Sequence, residues 1–203
     1  MAALRDESDE ALMQRYQQGD VRAFEVLLSR HEGPVYNFVL RAVGEPEQAA
    51  DITQDVFFRV VRSAQSYERT AKFTTWLYTI ARNLLVDAAR RARFRRAASL
   101  DQPAREHDAD DAPLGALIPH GDPPVDRQVI GKELGRRLEQ ALSELASEQR
   151  EVFVMRELLG LPFKEIAEIT GVSENTVKSR MRYALEKLRD ALAEYQDLAE
   201  AVR

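Results

Sequence analysis

Residues 161–188, LPFKEIAEITGVSENTVKSRMRYALEKL, constrain this chain more tightly than any other stretch. They read as two helices joined by a tight turn. Pro162 suits a first helical position, where a missing N–H costs nothing. Phe163, Ile166 and Ala167 recur at helical spacing, with Ile169 alongside. Gly171 follows, the residue that most readily takes the left-handed conformation that ends a helix. Ser173 then offers an N-cap, and Glu174 in the next turn suits the positive end of the helix dipole.

The second of these helices sorts its residues by face. At about 3.6 residues per turn, Val177, Met181, Ala184 and Leu188 form an apolar stripe, with Leu185 at its edge. Opposite lie Asn175, Thr176, Ser179, Arg182 and Tyr183, flanked by Lys178 and Arg180. Short polar side chains suit base edges, and bordering cations suit phosphates. A helix-turn-helix docks in this way, with the N-terminal half of its second helix in the major groove. The alternative is an ordinary helical hairpin with a solvated charged face; turn, cap and face together favour the DNA reading.

The rest of the composition narrows the class. With 203 residues there is room for one or two domains, and few stretches look like strands. No apolar run is long enough to span a bilayer, and the acidic start MAALRDESDE is not a signal peptide. A soluble cytoplasmic protein without membrane insertion is therefore expected. With no cysteine, disulfides and thiolate metal sites are excluded. A net charge of −5 argues against indiscriminate DNA coating. That charge is uneven, however. Between residues 74 and 98, arginines 82, 90, 91, 93, 95 and 96 face only Asp87. Between 101 and 126, seven acidic residues face only Arg105. Such a chain can bind nucleic acid locally while discouraging it elsewhere.

Read in order, residues 9–18 form a short amphipathic helix with Leu12, Met13 and Tyr16 inward, ended by Gly19. Asp20 caps the next helix, which Gly33-Pro34 should bend or interrupt. Gly44-Glu45-Pro46 is a turn. Residues 47–64 place Ile52, Val56 and Val60 on a core face, with Phe57 close by. The other face carries Asp51, Gln54, Asp55, Phe58 and Arg62, and a large aromatic amid polar groups suits a protein-docking anchor as well as incidental exposure. Residues 66–74 break the pattern as a loop leading into a helix that contains Trp76 and ends in the arginine cluster. Aromatics interleaved with cations can hold unstacked bases and a phosphate backbone; Trp76 and Tyr78 can equally be core. Residues 97–127 hold five of the eight prolines and read as a flexible acidic linker. Two helical domains follow, 1–96 and 128–203, and the fold class is all-α. Ser147 is a candidate cap for a helix running to Leu158, and the tail from residue 190 is helix-prone.

Three stretches, DITQDVFFRV, FTTWLYTIARNLLVDAARR and SEQREVFVMRELLGLPFKEIAEITGVSENTVKSRMRYALEKLR, stand in an order that resembles the extracytoplasmic-function (ECF) sigma factors of the sigma-70 family, over about residues 9–189. The resemblance implies a region 2-like domain that binds the clamp helices of core RNA polymerase and melts the minus-ten element. It implies a region 4-like domain that binds the polymerase flap and reads the minus-thirty-five element as duplex. Carried over, the clamp contact falls on Asp51, Gln54, Asp55 and Phe58. Capture of a flipped non-template base falls on the loop at 66–73, with Tyr67, Lys72, Thr75, Trp76, Arg82, Asn83, Arg90 and Arg91 as minus-ten candidates. Minus-thirty-five candidates are Ser173, Asn175, Thr176, Lys178, Ser179, Arg180, Arg182 and Tyr183. The family also implies an anti-sigma factor as a further partner, work on the nucleoid, and no catalytic role or cofactor.

Two rival readings are weaker. SENTVKSRMRYAL also resembles the recognition helix of response-regulator output domains, but the first domain lacks the alternating strands of a receiver. As for an enzyme, His31-Glu32 does not continue into a zincin motif because position 35 is Val, and His107 and His120 lie in the linker. No phosphate-binding glycine loop or nucleophile elbow occurs.

Overall fold

A computed structural model describes residues 2–69, 71–98 and 135–193. Among them there is no strand. The chain divides into two compact units, one carrying α1 (Ala2–Arg5), α2 (Asp9–Gln17), α3 (Val21–Val43), α4 (Pro46–Ser63) and α5 (Phe73–Ala98). The other carries α6 (135–143), α7 (Ser147–Phe153) and α9 (Glu174–Ala191). The helix α8 (Phe163–Thr170) leads into α9. Most of the linker, with His107 and His120, and the tail beyond 193 lie outside the described residues.

Sequence-level stop and start signals set the ends of the first helices. Ser8 caps α2 by accepting the Ala11 amide at 3.3 Å, and Asp20 caps α3 by accepting that of Arg22 at 3.2 Å. Gly44 ends α3 at φ 76°, a left-handed conformation that side chains with a Cβ resist. Glu45 then caps α4 through the Gln48 amide, and Pro46 occupies its first turn. Such caps are worth about 1 kcal/mol each.

Pro34 does not interrupt α3, which runs unbroken over 23 residues. A proline inside a helix costs about 3 kcal/mol. Here Leu27 on one side of it and Val35, Phe38 and Val39 on the other are all buried, and each buried side chain of that size contributes about 1.5–3 kcal/mol. Packing outweighs the missing hydrogen bond. The core of the unit forms where α3 meets α2 and α4, and where α4 meets α5. Leu12, Met13, Val56, Val60 and Leu77 are fully enclosed there. Phe38 meets Tyr78 edge-on at 5.4 Å, and burial pushes the Tyr78 phenol well above its usual range.

The N-terminal segment is tied to α3 by a polar network. Arg30 donates to the Asp9 carboxylate and to the carbonyls of Arg5 and Glu7, and His31 Nε2 lies 2.7 Å from Asp9 Oδ2. Burial acts to raise the Asp9 carboxyl, but hydrogen bonds from His31 and Arg30 outweigh it and hold the group below the usual carboxylate range.

In the second unit, Ala141, Leu142, Leu145, Ala184 and Leu188 make the core, with Leu138 and Phe153 packed against it. Arg150 on α7 reaches back to cap α6, donating to the carbonyls of Leu142 (2.8 Å), Ser143 (2.6 Å) and Leu145 (3.2 Å). Ser147 is not the cap expected from sequence. Ala146 holds that position without a side-chain bond, and the Ser147 hydroxyl turns to Glu148 instead. Beyond Phe153 the helix loosens into a π turn over Val154–Leu158.

Candidate nucleic-acid and protein interfaces

In α9 the two faces separate as the helical spacing requires. Val177, Met181, Ala184 and Leu188 are buried. Asn175, Thr176, Lys178, Ser179, Arg182 and Tyr183 are exposed, and Arg180 is half-buried. The turn before it closes with Gly171 at φ 69° and amides of Gly171 and Val172 donating to the Ala167 carbonyl. The Ser173 hydroxyl accepts the Thr176 amide at 3.1 Å and lies 2.8 Å from the Thr176 hydroxyl. Ser173 therefore fixes the start of the helix, and Asn175, Ser179 and Arg182 are among the side chains that project from it. Lys178 is paired with Glu174 one turn back at 2.7 Å, and the Arg182 guanidinium sits 5.0 Å from the Tyr183 ring centre. Both contacts stiffen long side chains that a groove would otherwise have to order.

The first unit supplies a second exposed surface. After the short 3₁₀ turn Ala64–Ser66 the chain loops to Phe73, the first residue of α5. Tyr67 is only 5% exposed. Its ring packs on Trp76 (5.1 Å) and Phe73 (6.1 Å), and its hydroxyl donates to the Ala71 carbonyl at 2.9 Å. This minus-ten candidate thus supports the loop from beneath. Trp76 is half-buried, with one side against Tyr67 and Phe73. Thr75 stands in the first turn of α5, its carbonyl accepting the Thr79 hydroxyl at 2.7 Å. Lys72, Asn83, Arg90 and Arg91 are exposed and Arg82 is half-buried. Trp76, Asn83 and Arg90 stand seven residues apart, so they line one face of α5. Arg90 is steadied by Asp87 at 3.1 Å.

The α4 helix carries a third surface. Asp51, Gln54, Asp55 and Phe58 are all exposed, Phe58 by 59%. Beside them a groove opens between α3 and α4, lined by Phe24, Leu28, Tyr36, Phe57, Phe58 and Val61. Sequence reading missed Tyr36, because a tyrosine at helical spacing looks like any half-buried aromatic until the neighbouring helix is in place.

Comparison with known proteins decides between the readings. Residues 27–95 match the model of Sigma-70 region 2, and residues 135–188 match that of Sigma-70 region 4. The RNA polymerase sigma factor CarQ of Myxococcus xanthus is 34% identical over 184 residues, covering 91% of this chain and 97% of that protein. The ECF RNA polymerase sigma-E factor of Haemophilus influenzae is 32% identical, covering 91% and 95%. The chain belongs to the ECF sigma factors. As such it is a transcription initiation factor that directs promoter-specific transcription.

Solved sigma factors share the fold. RpoE of Bartonella quintana, determined with the anti-sigma factor NepR, gives a TM-score of 0.66 at 23% identity, covering 84% of this chain and 96% of that one. CnrH, determined with the cytosolic domain of CnrY, gives 0.63 at 25% identity, covering 93% and 99%. Region 2 of this sigma factor falls on α3 to α5, and region 4 on α6 to α9. No helix among the described residues is long and apolar enough to cross a membrane.

Proposed function

We propose that this sigma factor, bound to core RNA polymerase in the cytoplasm, reads its promoter at two places and opens it at one. The N-terminal half of α9 enters the major groove of the minus-thirty-five element. The loop before α5 captures a non-template base flipped from the minus-ten element, beside Trp76 and Asn83. Lys72, Arg82, Arg90 and Arg91 hold the strand. Asp51, Gln54, Asp55 and Phe58 dock on the clamp helices of the polymerase, and the second unit docks on the flap. The observation that supports this reading is α9, which buries one apolar stripe while exposing short polar groups and cations on its opposite face.

Energetics need no hydrolysis. Flipping a base out costs a few kcal/mol of stacking and pairing. Aromatic contacts of about 1–3 kcal/mol per base, with phosphate neutralisation, offset that cost. Strand separation thus follows from preferential binding of the opened strand. The acidic, proline-rich linker suits a basic channel of the polymerase, and an anti-sigma factor that masks the α4 face would hold the protein inactive.

Run-off transcription with purified core polymerase, followed by start-site mapping, tests the reading; unaltered start sites on adding the protein would refute it. Arg182→Ala is expected to weaken minus-thirty-five binding by roughly 1–3 kcal/mol and to relax base preference at one position. Competition binding against single-base variants checks this. Equal loss on every variant would reassign Arg182 to a phosphate.

A further inference from the structure

One helix holds both ends of the loop that precedes α5. Near the C-terminal end of α2, the Gln17 side-chain amide donates to the carbonyls of Ala64 (2.8 Å) and Tyr67 (2.9 Å), where the chain enters the loop. Gln65 returns a bond to the Gln17 carbonyl at 3.2 Å. Seven residues earlier on α2, Glu10 Oε1 accepts the Phe73 amide at 3.0 Å, where the loop ends. Seven residues make nearly two turns, so both side chains leave the same face of α2, about 10 Å apart along it.

The chemistry at each end matches its partner. Phe73 is the first residue of α5, so its N–H has no acceptor within that helix. A carboxylate there satisfies the donor and complements the positive end of the helix dipole. At the entrance, a neutral amide with two N–H groups meets two carbonyls, a geometry a carboxylate could not serve. The helix α2 has its own anchorage through Leu12 and Met13, both fully buried. Glu10 and Gln17 are therefore additions to a helix that already packs. They also lie upstream of residues 27–95, the part matched by the region 2 model.

We propose that α2 acts as a ruler for strand capture, with Glu10 and Gln17 as positioning residues that fix the two ends of the loop before DNA arrives. The proposal rests on the reading of that loop as the capturing element. A loop whose two ends are already held loses less conformational freedom when it takes the flipped base, so more of the contact energy goes into holding the strands apart.

The test uses the full chain with core polymerase on a promoter mapped by run-off transcription. Each variant is assayed on linear duplex and on the same fragment with a permanently unpaired minus-ten segment. Glu10→Ala, and Gln17→Met as a near-isostere without the donors, should each lower permanganate-reactive open complex on duplex about tenfold. Activity should return on the unpaired template, with core affinity unchanged. Glu10→Gln, which keeps an acceptor oxygen, should restore most of the loss. Trp76→Ala reports on the underlying reading. If it impairs opening while Glu10→Ala and Gln17→Met do not, the ruler is wrong and the capture reading stands. Equal losses on both templates, or lost core affinity, make the two residues merely structural and overturn the proposal. Normal opening by Trp76→Ala removes the capture reading and the ruler with it.

Discussion

Phe58→Ala is expected to weaken association with core RNA polymerase by about 2–4 kcal/mol, roughly 30- to 1,000-fold in Kd, with the thermal midpoint in place. The side chain is 59% exposed in the free protein, so its removal opens no cavity. Surface changes of that kind alter stability by no more than about 0.5 kcal/mol. Its surroundings suit an anchor: an apolar groove on one side and the carboxylates of Asp51 and Asp55 on the same exposed face. The neighbouring Phe57 supplies the contrast, being buried against the core. Phe57→Ala should cost about 3–5 kcal/mol of stability, with any loss of polymerase binding following from that. Fluorescence titration against core polymerase, paired with thermal melts, separates the two. A midpoint that falls as far for Phe58→Ala as for Phe57→Ala would make Phe58 a core residue and remove it from the interface.

Phe73→Ala should be the most damaging single change near the loop. The ring is 1% exposed and is among the largest fully buried side chains. It meets His31 at 5.3 Å, Trp76 at 6.0 Å and Tyr67 at 6.1 Å. Removing it should destabilise the first unit by about 3–5 kcal/mol, a fall of about 15 °C or more in midpoint for a domain of this size. Phe73→Leu fills most of the space and should recover more than half of the loss. The backbone amide that Glu10 accepts survives either change, so the ring and the cap can be tested apart. A midpoint within a few degrees of wild type for Phe73→Ala would mean that the aromatic cluster is not what supports Trp76.

Much of this was legible in the residues. Gly171, Ser173 and the stripe of Val177, Met181, Ala184 and Leu188 act locally, through a turn conformation, a cap and a repeat, and the structure places each as expected. Gly44 and Glu45 make the expected turn, while Pro46 already belongs to α4, one residue earlier than its spacing suggests. Ser147 went otherwise, and of the bend or interruption expected at Pro34 the interruption does not occur. For Ser147 the adjacent Glu148 offered a competing partner, and for Pro34 a break depends on whether flanking packing exceeds the lost hydrogen bond. Neither balance is written in a window of a few residues.

Sequence alone determined most of the helices, the buried and exposed faces of α4 and α9, and the family, because each rests on spacing along one chain or on likeness along its length. Tertiary structure decided which side chains serve which segment. That Tyr67 lies beneath its loop, and that Glu10 and Gln17 grip the loop's two ends from 63 and 47 residues away, depends on helices distant in sequence being brought side by side. A glutamate and a glutamine on a short amphipathic helix carry no local mark of that work; only the neighbouring backbone, with an N–H that its own helix leaves unpaired and two carbonyls within reach, gives them something to hold.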